Sequence, residues 1–106
     1  MGVLDLFKPR DIHKGVAEYL SHPNAMLLDV RTPAEYREGH IPNSKNIPLQ
    51  TIDKGEHIAE NKDIPLFVYC YSGARSGQAV AALRRMGHTN VTNIGGISAW
   101  TGKVAR

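Results

Sequence analysis

The stretch from Leu66 to Ser76 limits what this chain can fold into more than any other. Leu66-Phe67-Val68-Tyr69 is an apolar, β-prone run that stops at Cys70, the only cysteine, and the polar loop Tyr71-Ser72-Gly73-Ala74-Arg75-Ser76 follows. Behind the loop, Gly77 to Met86 carries apolar residues at 79, 80, 83 and 86, the spacing of one helix face. The order is strand, loop, helix. A helix start leaves backbone N–H groups unpaired and carries the positive end of the helix dipole, so a loop curled against it holds an anion. Gly73 lets that loop turn tightly. Positive potential from the amides, the helix start and Arg75 favours the thiolate, which is the nucleophilic form of a cysteine. A lone cysteine is otherwise a buried core thiol. Glycine and arginine inside the loop, with a periodic helix after it, favour a reactive thiol at Cys70.

The chain of 106 residues is read as one domain, 1–106. One cysteine excludes an intrachain disulfide and metal sites built on cysteine pairs. Met1 to Lys8 shows no basic start, apolar core and cleavage site, and Leu6 breaks the myristoylation pattern. No apolar run approaches the length that spans a bilayer. A cytoplasmic protein with no membrane contact is expected. The net charge of +3 is spread over Arg84-Arg85, Lys103 and Arg106, a solvated surface rather than a nucleic-acid patch. His57-Ile58-Ala59-Glu60 reads as a solvated helix face, and no metal site is expected.

In chain order, Pro9 to Leu20 is expected as a helix with Ile12, Val16, Tyr19 and Leu20 on its apolar side, ended by His22-Pro23-Asn24. Ala25 to Val30 is a continuous apolar strand, the kind covered on both faces in a parallel sheet. Thr32-Pro33-Ala34-Glu35 is a capping box that starts a short helix ended by Gly39. Ile41 to Pro48 is extended, with a short strand around Asn46-Ile47. Leu49 to Glu60 is expected as a weaker helix anchored by Leu49, Ile52 and Ile58 and broken by Asn61-Lys62-Asp63. Gly87 stops the helix behind the cysteine loop, Val91 to Ile94 is a β-branched strand, and Gly95-Gly96 is expected to turn the backbone. Strands alternating with helices through short loops indicate right-handed crossovers, an α/β fold and a mostly parallel sheet with helices on both faces. Ligands bind beyond the C-terminal strand ends in such sheets, which puts Asp29, Cys70 and Gly95-Gly96 on one rim.

Several residues near that rim have two uses. Arg75 suits contact with a substrate oxyanion or an ion pair to Asp29 or Glu35, with substrate contact preferred. Asp29 and Arg31 read as structural, fixing the loop through hydrogen bonds. Ser72 and Ser76 are placed to donate to a bound sulfur or oxyanion, or to cap the helix. His40 is the natural general base if Cys70 needs one, but amide dipoles hold a thiolate without a base. Trp100 is expected as a core plug that docks the last helix.

These residues resemble the rhodanese (sulfurtransferase) family. The six-residue loop from Cys70 to Arg75, between strand and helix, is similar to that family's active-site loop. Leu27-Leu28-Asp29-Val30-Arg31 resembles its Asp-x-Arg strand end. Glu35 to Pro42, followed by Asn46-Ile47-Pro48, resembles its Gly-His-Ile-Pro segment, and Asn93 to Trp100 resembles its Gly-Gly-x-x-x-Trp close. The segments run in the family's order from Leu27 to Trp100. Asn43-Ser44 stands where the family usually has Gly-Ala, and Tyr71 where several thiosulfate-using members have arginine. The resemblance implies a rhodanese-like fold and transfer of a sulfane sulfur, from a donor such as thiosulfate to cyanide or a thiol, through a Cys70 persulfide. It also implies a cradle of Tyr71, Ser72, Gly73, Ala74, Arg75 and Ser76, with Asp29, Arg31 and His40 in support, His40 as an orienting residue. No cofactor is needed, and thioredoxin or a sulfur-carrier protein are further acceptors. Two other classes compete. A cysteine phosphatase or arsenate reductase has one more residue between cysteine and arginine and typically a histidine where Tyr69 stands. A non-catalytic rhodanese-like binding module normally lacks the loop cysteine.

Overall fold

The computed structural model describes residues 11–54 and 57–106. Pro9 and Arg10, the expected start of the first helix, lie outside the described residues together with Met1 to Lys8, as do Gly55 and Glu56 of the expected Leu49–Glu60 helix. Helix α1 (Ile12–Ser21) is capped by Asp11, whose carboxylate accepts from the backbone of His13 and Lys14. Strand β1 (Met26–Asp29), helix α2 (Pro33–Glu38), strand β2 (Lys45–Asn46), strand β3 (Leu66–Cys70), helix α3 (Ala74–Arg85) and strand β4 (Val91–Gly96) follow.

Among the described residues the sheet has four strands, all parallel, in the order β2-β1-β3-β4. The run Leu66-Phe67-Val68-Tyr69-Cys70 is buried at every position because helices cover the sheet on both sides. Side chains alternate accordingly. Phe67 and Tyr69 pack with Ile12, Val16, Leu27 and Ile94 under α1. Leu66, Val68 and Cys70 pack with Leu28, Ala79, Val80 and Leu83 under α3. Leu20, expected on the apolar side of α1, is instead 68% exposed. The parallel α/β architecture with helices on both faces is the one its sequence pattern indicates.

Three expectations need correction. Leu49 to Glu60 is not a helix: only Leu49–Thr51 forms a single 3-10 turn, followed by further turns. Thr51, Asp53 and Gly55 are poor helix formers, and Ile52 and Ile58 sit six residues apart, which no single helix face accommodates. Both isoleucines are buried all the same. Gly95-Gly96 is not a turn but the end of β4, paired with Tyr69 and Cys70 after a register shift that leaves Ile94 as an extra residue. Finally, Trp100 does not dock the last helix, α3, but packs on the opposite side of the sheet against the cluster under α1. A 3-10 turn (Ile97–Ala99) precedes it, and its half-buried ring stacks on His13 of α1 at 5.0 Å. Among the described residues, no helix is long and apolar enough to cross a membrane.

Candidate active site

β3 ends at Cys70, and the chain turns over it through Tyr71-Ser72-Gly73 into α3. The helix begins at Ala74, earlier than the apolar spacing suggests, so Ala74, Arg75 and Ser76 form its first turn rather than loop. Gly73 makes this possible: it sits at φ +107°, a left-handed conformation that costs glycine nothing. Its N–H thereby faces back onto Cys70 and donates to Sγ at 2.9 Å. Ser76 Oγ lies 3.4 Å from Sγ on the other side.

The thiol is almost fully buried. Burial alone would push its pKa up. The Ser76 hydroxyl and the backbone N–H groups of Ser76, Gly73 and Ser72 outweigh that effect, and the net shift is below the ordinary thiol value. Tyr71, next to the cysteine, is 55% exposed. β4 supplies the floor. A Cβ on Gly96 would overlap the Tyr71 carbonyl and Ser72 Cα, so only glycine lets the loop lie this close to the strand. Ser98 N–H donates to that same Tyr71 carbonyl at 3.0 Å and holds the loop down.

Arg75 leaves the first turn of α3 and meets Glu35 of α2 in a two-pronged ion pair, Nη1 to Oε1 at 2.7 Å and Nη2 to Oε2 at 3.0 Å. Glu35 is held for this by the Thr32 capping box. The Arg75 guanidinium, with help from Thr32 hydrogen bonds, keeps the Glu35 carboxyl at about 2, well below its ordinary 4.5. A lowered carboxylate stabilises the fold above its unfolded pKa, and that contribution fades as pH falls toward the folded one. Both side chains are about one-third exposed, so solvent screening keeps the pair near about 1 kcal/mol. Thermal unfolding should therefore show wild type a few degrees above Glu35→Gln at neutral pH, with the gap closing between pH 4.5 and about 2. A gap that stays constant down to pH 2 would contradict the pairing.

The remaining expected site residues form a second cluster across the sheet. Asp29 is fully buried at the end of β1 and accepts from Arg31 N at 2.9 Å, Nε at 3.0 Å and Nη2 at 2.7 Å. Arg31 Nη2 also donates to the Gly39 carbonyl at 2.7 Å, and its guanidinium carbon lies 5.9 Å from the centre of the Tyr69 ring. Tyr69 and Cys70 are neighbours in β3 but point to opposite faces, so this pair supports the strand from behind the cysteine. Tyr69 Oη accepts from Ile41 N at 3.1 Å and donates to Ser44 at 3.2 Å; burial raises its pKa. His40 Nδ1 donates to the Tyr36 carbonyl at 2.8 Å, its ring stacks on Tyr36 at 3.6 Å, and its backbone exchanges two hydrogen bonds with Ala105. None of its hydrogen bonds reaches Cys70. Asp29, Cys70 and Gly96 do stand at C-terminal ends of adjacent parallel strands, on one rim.

Asn93, absent from the expected site, ties the rim together: its side chain contacts Gly73, Ser76 and Gly95. An asparagine among the β-branched residues of Val91-Thr92-Asn93-Ile94 was the signal for it, because strands disfavour asparagine. Among the described residues no group of three or more His, Cys, Asp or Glu is placed to hold a metal ion. A buried thiol surrounded by hydrogen-bond donors, with a lowered pKa, has the features of a nucleophile that keeps a negative charge on sulfur.

Known proteins resemble this chain in sequence and fold. A sulfurtransferase of Allochromatium vinosum is 42% identical over 79 residues, covering 73% of this chain and 72% of that protein. The thiosulfate sulfurtransferase PspE of Escherichia coli is 41% identical over 73 residues, 66% of this chain and 68% of that protein. An uncharacterized protein of Bacillus subtilis, YqhL, is 40% identical over 81 residues, 76% of this chain, and the match spans 64% of YqhL. Among solved structures, a rhodanese-like domain protein from Staphylococcus aureus superposes with a TM-score of 0.75 at 31% identity, covering 92% of this chain and 94% of that one. The family model described as Rhodanese-like domain matches residues 13–103. That match takes in every strand of the sheet and the whole loop that closes over Cys70, and it places this chain in the rhodanese-like domain family.

Proposed function

We propose that this chain is a sulfurtransferase, acting as one domain over 1–106, in which Cys70 carries sulfur as a persulfide. The observation that carries this reading is the Cys70 sulfur held by Gly73 N–H at 2.9 Å and by Ser76, with its pKa lowered although it is buried. In the first step the Cys70 thiolate attacks the outer sulfur of a donor such as thiosulfate. The donor S–S bond breaks, sulfite leaves with the electron pair, and Cys70–S–S⁻ remains. The amides of Tyr71 to Ser76 hold that anion. In the second step cyanide or a thiol attacks the terminal sulfur, and the Cys70 thiolate is regenerated. Ala74 contributes backbone alone, while Asp29, Arg31 and His40 hold the strand and loop that carry the cysteine. No cofactor enters either step. The paired Arg75 serves the loop through Glu35.

Similarity to a putative sulfur carrier protein of Bacillus subtilis, 38% identical over 79 residues, and to a probable adenylyltransferase/sulfurtransferase of Mycobacterium tuberculosis, MoeZ, supports a sulfur-carrier protein as acceptor. Thioredoxin is a further acceptor in this reading. The reading places the reaction in the cytoplasm. It is tested by thiocyanate release: wild type incubated with thiosulfate and cyanide should turn over with ping-pong kinetics, and no release above buffer would overturn it.

Tyr71 sets the donor preference in this reading. It stands exposed beside Cys70, where a thiosulfate dianion has no cationic side chain in its place. Tyr71→Arg adds one charged hydrogen bond, worth about 1.5–3 kcal/mol when well placed. The KM for thiosulfate should fall roughly ten-fold or more in steady-state assays. An unchanged or higher KM would count against this role.

A further inference from the structure

Asn93 is half-buried in β4, just before the extra residue Ile94, and its hydrogen bonds fix which way its amide points. Gly95 N–H can only donate, and it donates to Oδ1 at 3.0 Å. The Gly73 carbonyl can only accept, and it accepts from Nδ2 at 3.1 Å. The same Oδ1 lies 2.7 Å from the hydroxyl of Ser76, a residue with no exposed surface. That hydroxyl has a single proton. Its other oxygen neighbours, the carbonyls of Gly73 at 3.1 Å and Gly95 at 3.5 Å, are acceptors as well, and Cys70 Sγ stands at 3.4 Å.

With Cys70 as a thiol, the set closes: Ser76 donates to Asn93, and the thiol donates to Ser76 Oγ. When Cys70 loses its proton, the Ser76 hydroxyl rotates to donate to Sγ, while Asn93 Oδ1 keeps the Gly95 N–H. No buried polar group is stranded in either state. On its other side Asn93 anchors the carbonyl of Gly73, the left-handed residue whose own N–H faces the sulfur at 2.9 Å. We propose that Asn93 is a positioning residue for Cys70: its Nδ2 holds the Gly73 peptide in the place from which the Gly73 N–H reaches the sulfur, while its Oδ1 takes the Ser76 proton in the thiol state and gives it up to the thiolate.

This deepens the sulfur-transfer reading and rests on it only in taking Cys70 as the reacting group. The test is the pH profile of Cys70 alkylation by iodoacetamide in the full chain, which needs no sulfur donor. Asn93→Ala should move the profile up by about one pH unit and slow alkylation at neutral pH about ten-fold. Ser76→Ala should move it in the same direction by removing a donor to the thiolate. The double variant should move it by at least the sum, because the Gly73 N–H and the Ser76 hydroxyl reach the sulfur by separate routes. An Asn93→Ala profile that is unshifted or moves down, or a double variant that moves by less than the sum, would overturn the proposal. If Asn93→Ala does not fold, Asn93→Val, which suits a strand and carries neither polar group, takes its place with the same expected upward shift, and an unshifted profile would overturn the proposal. A shifted profile in a protein that transfers no sulfur would support the role of Asn93 and sink the proposed reaction. An unshifted profile with active sulfur transfer would sink this inference alone.

Discussion

Cys70→Ser is expected to lower thiocyanate formation from thiosulfate and cyanide by on the order of 10³-fold or more while leaving the fold in place. Sulfur transfer needs an atom that is ionised at neutral pH, attacks divalent sulfur, and later departs as a stable anion. A serine hydroxyl fails on all three counts, and in this chain no second cysteine can substitute. The fold should survive because an oxygen at this position keeps the partners the sulfur had, Gly73 N–H and the Ser76 hydroxyl. The buried polar group is therefore still hydrogen-bonded, and the melting temperature should stay within about 5 °C of wild type. Steady-state rates and a thermal melt on both proteins make the comparison. Retained turnover in Cys70→Ser would remove the cysteine from the reaction.

Asp29→Ala should produce the largest stability loss. Its carboxylate has no exposed surface and Arg31 is 5% exposed, so the substitution leaves a guanidinium buried without its counter-charge. Breaking such a pair costs about 3–5 kcal/mol. For a chain of this length that corresponds to a fall of roughly 15–20 °C in melting temperature. The Gly39 carbonyl, still within reach of Arg31 Nη2, offsets only part of it. Replacing both partners, Asp29→Leu with Arg31→Met, removes the stranded charge and should recover most of the loss. A single variant that melts within a few degrees of wild type would show that the pair does little. A double variant no more stable than the single would show that the hydrogen bonds themselves, not the counter-charge, are what matters.

How much of this was legible in the sequence depended on whether a residue's partners were near it in the chain. β3, α3 and the loop between them could be read from one continuous stretch, because a fully apolar five-residue run, a lone cysteine, a glycine and a helical period all fall between 66 and 86. The capping box at Thr32 was equally local, and the structure forms both of its hydrogen bonds. The first turn of α3 was harder: Ala74, Arg75 and Ser76 carry no apolar periodicity, and only Gly73 in its left-handed conformation lets the helix start there.

Long-range pairing was legible only as a set of options. Arg75 had Asp29, Glu35 or a substrate to choose from, and the choice of Glu35 depends on how α2 and α3 pack across the rim, 40 residues apart in sequence. Asn93 had no local signature beyond its poor fit to a strand, and its role appears only when the extra residue at Ile94 turns β4 toward α3. Gly95-Gly96 misled for the same reason. Two glycines in sequence suggest a turn, whereas here they finish a strand and leave the space into which Tyr71 and Ser72 pack. The Leu49–Glu60 segment misled in the opposite way, since buried isoleucines at 52 and 58 looked like helix anchors and serve as separate plugs under irregular chain.

The persulfide on Cys70 is the centre of the account, and intact-protein mass spectrometry after incubation with thiosulfate tests it most directly. Wild type should gain the mass of one sulfur atom, located at Cys70 by peptide mapping. Cyanide should then remove it with release of an equal amount of thiocyanate, and Cys70→Ser should gain nothing. A wild-type protein that turns over thiosulfate without ever carrying the added sulfur, or a Cys70→Ser variant that carries it, would contradict the account.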